Sequence, residues 1–85
     1  MSYIVVGGTQ NEQMVSKVQR FLYEGQKVLG EPVKTSYGTQ YVIVDTGTND
    51  EYRSRYIRDR LTSGLYSAKL FTSLPEAEAF IAENK

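Results

Sequence analysis

Two runs of consecutive strand formers, Tyr3-Ile4-Val5-Val6 and Tyr41-Val42-Ile43-Val44, limit what this chain can become. β-Branched and aromatic side chains suit a pleated surface, and neither run is interrupted by polar residues. The first predicts a strand over residues 2–7, either central and covered on both faces or one whose ends are hidden, with Gly7-Gly8 ending it. The second predicts another strongly buried strand over 40–45. A chain of 85 residues buries only about 60–65% of its unfolded surface, which leaves room for a single domain over 1–85 with one two-layer core. The chain has no cysteine, so that core has no disulfide and there is no thiolate metal site.

The remaining elements follow from periodicity and punctuation. Met14, Val15, Val18, Phe21 and Leu22 form one apolar face of a helix expected over 11–24, capped by Thr9 or Asn11, with Glu12 in its first turn and Gly25 as its stop. Residues 26–36 predict a strand through Val28, Leu29 and Val33. Pro32 cannot donate to a ladder, which makes this an edge strand or one broken by a bulge. Tyr37-Gly38-Thr39 is the hairpin turn that leads into the strand over 40–45. Asn49 or Asp50 caps a second helix that runs to about Thr62, with Gly64 as its stop, and a fourth strand is expected over 65–71. Ser73-Leu74-Pro75-Glu76 is a capping box opening a last helix, with Leu74, Ala77, Phe80 and Ile81 on its buried stripe. The order β-α-β-β-α-β plus a terminal helix is that of an α+β, ferredoxin-like fold. It implies a four-stranded antiparallel sheet with two helices on one face, the third helix covering either the open face or an edge.

Composition narrows the function. Ten Lys and Arg balance ten Asp and Glu, so any RNA site must be a local patch rather than a general polycationic surface. There is no histidine, which removes the usual general base near neutral pH and the commonest metal ligand. Serine and threonine nucleophiles then lack a base to activate them, and no spacing singles out a pair among the carboxylates. The expectation is a protein that is not an enzyme and uses neither cofactor nor metal. Residues 1–8 lack a basic region followed by a long apolar run, and no stretch approaches the roughly 20 apolar residues of a membrane helix. A cytoplasmic protein without a membrane partner is expected.

The candidate site is residues 49–64. Four of the five arginines lie here, Arg53, Arg55, Arg58 and Arg60, interleaved with Tyr52 and Tyr56. On a helix of about 3.6 residues per turn, Arg55 has Glu51 four residues before it and Asp59 four after it, which reads as a solvated ion-pair face. Arg53 and Arg60 have no such acid; they lie between a tyrosine edge, Tyr52 and Tyr56, and an aliphatic edge, Ile57 and Leu61. Guanidinium planes beside phenol rings suit phosphate binding and base stacking. RNA binding by Arg53 and Arg60, with Arg58, Arg55, Tyr52 and Tyr56, stands against a plain alternative. In that alternative the helix is ordinarily amphipathic and its arginine stems drape over the core rim.

Three further readings stand beside these. Tyr3 and Tyr41 occupy strands where RNA-recognition sheets place stacking rings. The basic residue and the aromatic after the glycine of that signature are missing, so core packing or a dimer interface is the competing role. Gly7-Gly8-Thr9-Gln10-Asn11 is a glycine turn able to present N–H groups to a phosphate or a small nucleotide. It has neither the lysine nor the spacing of a P-loop, and a plain turn is the alternative. The tyrosines of the arginine-rich helix also suit a homodimeric interaction module.

Two resemblances accompany these readings. Tyr3, Val5-Val6, Val15, Val18, Leu22, Gly25, Leu29-Gly30, Pro32 and Tyr41-Val42 follow a pattern of strand, helix ending in Leu-x-x-Gly, then x-Leu-Gly-x-Pro and a hairpin. In this the first half resembles a family of very small proteins known as domain of unknown function 1737, although Gln26 stands where that family often has Trp. The resemblance implies a small β-α-β-β module and no known activity. In its size, its single α+β domain and its Arg53-x-Arg55-Tyr56-x-Arg58-x-Arg60 cluster, the whole chain resembles the short accessory proteins of T4-type phages. That family includes inhibitors of a toxin-antitoxin endoribonuclease. The resemblance implies a counter-defence factor in the host cytoplasm that binds RNA and the toxin together and holds the nuclease inactive.

Overall fold

A computed structural model describes residues 1–64 and 67–85. Its elements are β1 (Tyr3–Thr9), α1 (Met14–Gln19), β2 (Lys27–Lys34), β3 (Thr39–Asp45), α2 (Glu51–Gly64), β4 (Ser67–Phe71) and α3 (Leu74–Glu83). The strands lie in the order β2-β3-β1-β4 and every neighbouring pair is antiparallel. α1 joins the two strands that flank β3, and α2 joins the two that flank β1. This is the α+β, ferredoxin-like arrangement expected from the order of elements. Leu65 and Tyr66, the expected start of the fourth strand, lie outside the described residues.

The two apolar runs form the centre of the sheet and feed a core on each face. Ile4 and Val6 of β1 and Val42 and Val44 of β3 point one way, onto Met14 and Val18 of α1 and Ile57 and Leu61 of α2. Val5 points the other way, onto Ala77 and Ile81 of α3, with Tyr3, Tyr41, Ile43, Phe71 and Phe80 around it. Side chains alternate along a strand, so only a strand covered on both sides can be apolar at every position. That is why Tyr3-Ile4-Val5-Val6 carries no polar residue. α3 covers the open face rather than an edge. The ring of Phe80 meets Tyr41 edge-on with centroids 5.9 Å apart and tilts against Phe71 at 5.4 Å.

Two expectations need correction. β1 does not stop at the glycines: it runs to Thr9, with Gly7 opposite Tyr41 and Gly8 opposite Gln40. A Cβ at Gly7 would lie 3.0 Å from a Tyr41 ring carbon, so the glycine leaves room for a cross-strand ring. α1 is six residues long rather than fourteen, and has no side-chain N-cap. Glu12, instead of opening the helix, accepts the Thr9 N–H at 3.2 Å and closes a turn. After Gln19 the chain tightens through Phe21 N–H to Val18 O (2.9 Å) and Leu22 N–H to Gln19 O (3.3 Å). Phe21 and Leu22 still pack against the core, so the apolar spacing marks burial here without a continuous helix.

Two other local signals hold, and α2 runs on through Gly64, the residue expected to stop it. β2 pairs as an edge strand whose register shifts between Leu29 and Val33, around Gly30 at φ +68° and Pro32. Ser73 caps α3 through the Glu76 N–H. No helix of the described residues is long and apolar enough to cross a membrane.

Candidate functional site

α2 is positioned by its buried stripe and by its first turn. Ser54, Ile57 and Leu61, three and four residues apart, form the side that faces the sheet. Asp50 caps the helix by accepting the Arg53 N–H at 3.0 Å. Beneath that turn, the hydroxyl of Ser2 shares hydrogen bonds of 2.5 Å with both the Thr46 and the Ser54 hydroxyls. Backbone bonds from Ser2 N–H to Thr48 O (3.0 Å) and from Thr46 N–H to Ser2 O (3.2 Å) complete the joint. Three short hydroxyl side chains thus tie the start of β1, the loop after β3 and the first turn of α2 together. Every buried polar atom in such a cluster needs its partner, because an unsatisfied one costs about 1–3 kcal/mol.

The opposite side of α2 carries Tyr52 and Tyr56, one turn apart and 80% and 61% exposed. The four arginines of α2 divide differently from the expected pattern in one respect. Arg55 pairs with Glu51 at 2.6 Å, as expected. Asp59 does not join it. Its Oδ1 instead accepts from both Nε and Nη2 of the adjacent Arg58, at 3.2 and 3.1 Å. Aspartate has a short side chain, and the neighbouring guanidinium can present two N–H groups to a single oxygen. Arg58 is therefore a neutralised cation, and so is Arg55; both pairs are solvent-exposed and contribute little stability.

Arg53 and Arg60 have no carboxylate partner among the described residues. Arg53 is exposed. Arg60 is half-buried, and its guanidinium carbon lies 4.1 Å from the centroid of the Tyr23 ring, in stacking contact. Tyr23 comes from the loop after α1 and is itself 50% exposed. Its backbone is held from both directions: its N–H donates to Gln26 Oε1 at 3.0 Å, and its carbonyl accepts from the Gln26 N–H at 3.1 Å. The loop that carries Tyr23 touches the loop that leads into α2. Gly47, at φ +72°, lies so close to Gly25 that a Cβ would run into the Gly25 carbonyl oxygen and lie 3.1 Å from its carbon. The site therefore draws on two loops and one helix, and Tyr23 is a member that no spacing in the sequence connects with Arg60.

The remaining candidates read differently in three dimensions. Tyr3 and Tyr41 are half-buried beneath α3, so their faces are engaged in packing and not offered for base stacking. Gly7 and Gly8 belong to the ladder and form no turn at a helix start. A shallow cleft of about 350 Å³ does border them, and the Glu12 that lines it is already held by Lys17 at 3.3 Å and by the Thr9 N–H. A second cleft of about 360 Å³ lies between α3 and β2, floored by Leu29, Val33, Ile43, Leu74 and Ile81. Among the described residues no three or more carboxylates are grouped closely enough to hold a metal ion.

Compared with known proteins, the chain matches no family model, no curated protein and no solved structure, so what the site does has to be argued from its own residues.

Proposed function

We propose that the protein is a non-catalytic RNA-binding protein whose contact surface is the outward side of α2. One observation carries this reading. Two highly exposed tyrosines stand one helical turn apart beside two arginines, Arg53 and Arg60, that no described carboxylate neutralises. In a chain of zero net charge, that sets two cations with no described carboxylate partner next to aromatic faces. Phosphates answer the first and bases the second. Arg55 and Arg58, held by Glu51 and Asp59, fit the plain amphipathic helix; Arg53, Arg60 and the two rings fit it less well. The absence of histidine from the chain supports action by binding rather than chemistry.

The resemblance to small accessory proteins of T4-type phages extends the reading. It suggests a role like that of TifA, the inhibitor of the ToxN toxin endoribonuclease: a counter-defence factor in the host cytoplasm that engages the nuclease together with RNA. The same exposed rings favour a second reading, a homodimeric interaction module in which Tyr52 and Tyr56 are interface anchors.

The test is fluorescence anisotropy with a labelled RNA at low salt. Arg53→Ala combined with Arg60→Ala should weaken binding across RNA sequences. Wild-type affinity in the double variant would end the RNA reading. For the second reading, Tyr52→Ala with Tyr56→Ala should break up a dimer seen by sedimentation without nucleic acid; a monomeric wild type at high concentration contradicts it.

A further inference from the structure

We infer that Tyr23 belongs to the RNA surface and that this surface takes unpaired bases, so that the ligand is single-stranded rather than duplex RNA. The inference rests on the RNA reading of α2 and goes beyond it in naming a residue from another element and the form of the ligand.

Three rings from two elements, Tyr52, Tyr56 and Tyr23, remain half or more exposed, and Arg60 lies over the third at 4.1 Å. Bases inside a duplex already stack on their neighbours, and side chains cannot read the narrow major groove of an A-form helix. Projecting rings therefore contribute only where bases are splayed out. Duplex RNA is held mainly through phosphate and 2′-hydroxyl contacts spread over two successive minor grooves. Arg53 and Arg60 are two cations, too few for that mode.

The Arg60–Tyr23 stack is also braced by contacts within the chain. Gln26 fixes the Tyr23 backbone through its own N–H and its side-chain oxygen. The close approach of Gly25 and Gly47 fixes the loop against the entrance to α2. A stacked plane that is already in place loses little conformational freedom on binding.

The experiment is an anisotropy titration of the full chain with a labelled single-stranded oligonucleotide and, in parallel, a labelled duplex of comparable charge. Wild type should bind the single strand at least about tenfold more tightly than the duplex. Tyr23→Ala should lose about fivefold or more for the single strand, while Tyr23→Phe retains wild-type affinity. Arg60→Lys, which keeps the charge but not the plane, should weaken single-strand binding with the salt dependence unchanged. Circular dichroism confirms that each variant is folded. Equal affinity for duplex and single strand, or a neutral Tyr23→Ala, overturns this inference and leaves the RNA reading standing. Failure of both RNAs to bind removes both.

Discussion

Replacing Gly47 by alanine tests the loop contact that joins Tyr23 to α2. Four glycines have positive φ: Gly25, Gly30, Gly38 and Gly47. Gly38, at φ +85° on the hairpin tip, has nothing within 4 Å of a would-be Cβ. Alanine there meets only the left-handed backbone penalty of about 1–2 kcal/mol, partly offset by the smaller entropy of the unfolded chain, about 0.4–1 kcal/mol. The net cost is about 1 kcal/mol. At Gly47 the same penalty applies, and the new methyl also meets backbone, the Gly25 carbonyl, which cannot swing aside as a side chain would. Forcing the loops apart adds about 1–3 kcal/mol, as overpacking does, for a total of about 2–4 kcal/mol. In a domain of this size 1 kcal/mol moves Tm by about 4–8 °C. Gly38→Ala should therefore lower Tm by about 5 °C and Gly47→Ala by about 10–25 °C, read by far-ultraviolet circular dichroism. If the two variants melted within about 3 °C of each other, the loops would not be in backbone contact and the argument for a preformed Tyr23 platform would fail.

Other substitutions probe the remaining joints. Gln40, only 3% exposed, donates through Nε2 to Thr9 O (2.5 Å) and Glu12 O (2.7 Å). Gln40→Ala should cost about 1–3 kcal/mol in urea unfolding, and a neutral result would mean that those carbonyls find water. Ile81, 4% exposed, joins α3 to the second face of the sheet. Ile81→Ala should cost about 2–5 kcal/mol with an unchanged m-value; a cost below about 1 kcal/mol would mean that α3 is only loosely docked. Ser54→Ala, which removes one hydroxyl from the Ser2–Thr46–Ser54 cluster, should cost about 1 kcal/mol, and a rise in stability would show the cluster to be a burden. Arg55→Ala should change RNA affinity far less than Arg53→Ala, because Glu51 already offsets its charge; equal losses would contradict the division of the arginines.

The sheet was legible because its signals are local. A strand apolar at every position points to cover on both faces, which placed β1 and β3 at the centre of the sheet, while the place of the third helix, open face or edge, stayed undecided until the packing of α3 was seen. Pro32 announced the irregular edge of β2, Ser73 announced the start of α3, and Asn49 or Asp50 announced that of α2, where Asp50 is the cap. What stayed hidden depends on contacts between residues distant in the chain. Gly7 looked like a strand stop because glycine usually punctuates; only the ring of Tyr41 opposite it explains a glycine inside a ladder. Helix periodicity through Leu22 was real as a burial pattern, yet the chain satisfied it with one short helix and tight turns. In α2, sequence spacing separated the ion-paired Arg55 from Arg53 and Arg60, which have no carboxylate partner among the described residues, but assigned Asp59 to the wrong arginine. The stacking of Arg60 on Tyr23 spans 37 positions and left no trace in spacing.

The central claim is that Arg53 and Arg60 of α2, which have no carboxylate partner among the described residues, carry the contact with RNA, and its most direct test is the salt dependence of affinity. Each phosphate neutralised on a single strand contributes about −0.7 to the slope of log K against log salt, so Arg53 and Arg60 together predict about −1.4, or roughly a sevenfold loss between about 50 and 200 mM salt. The same titration on the Arg53→Ala, Arg60→Ala double variant should give a slope near zero. A wild-type slope near zero, or a double variant that keeps the full slope, would show that the cations of α2 are not what holds the RNA.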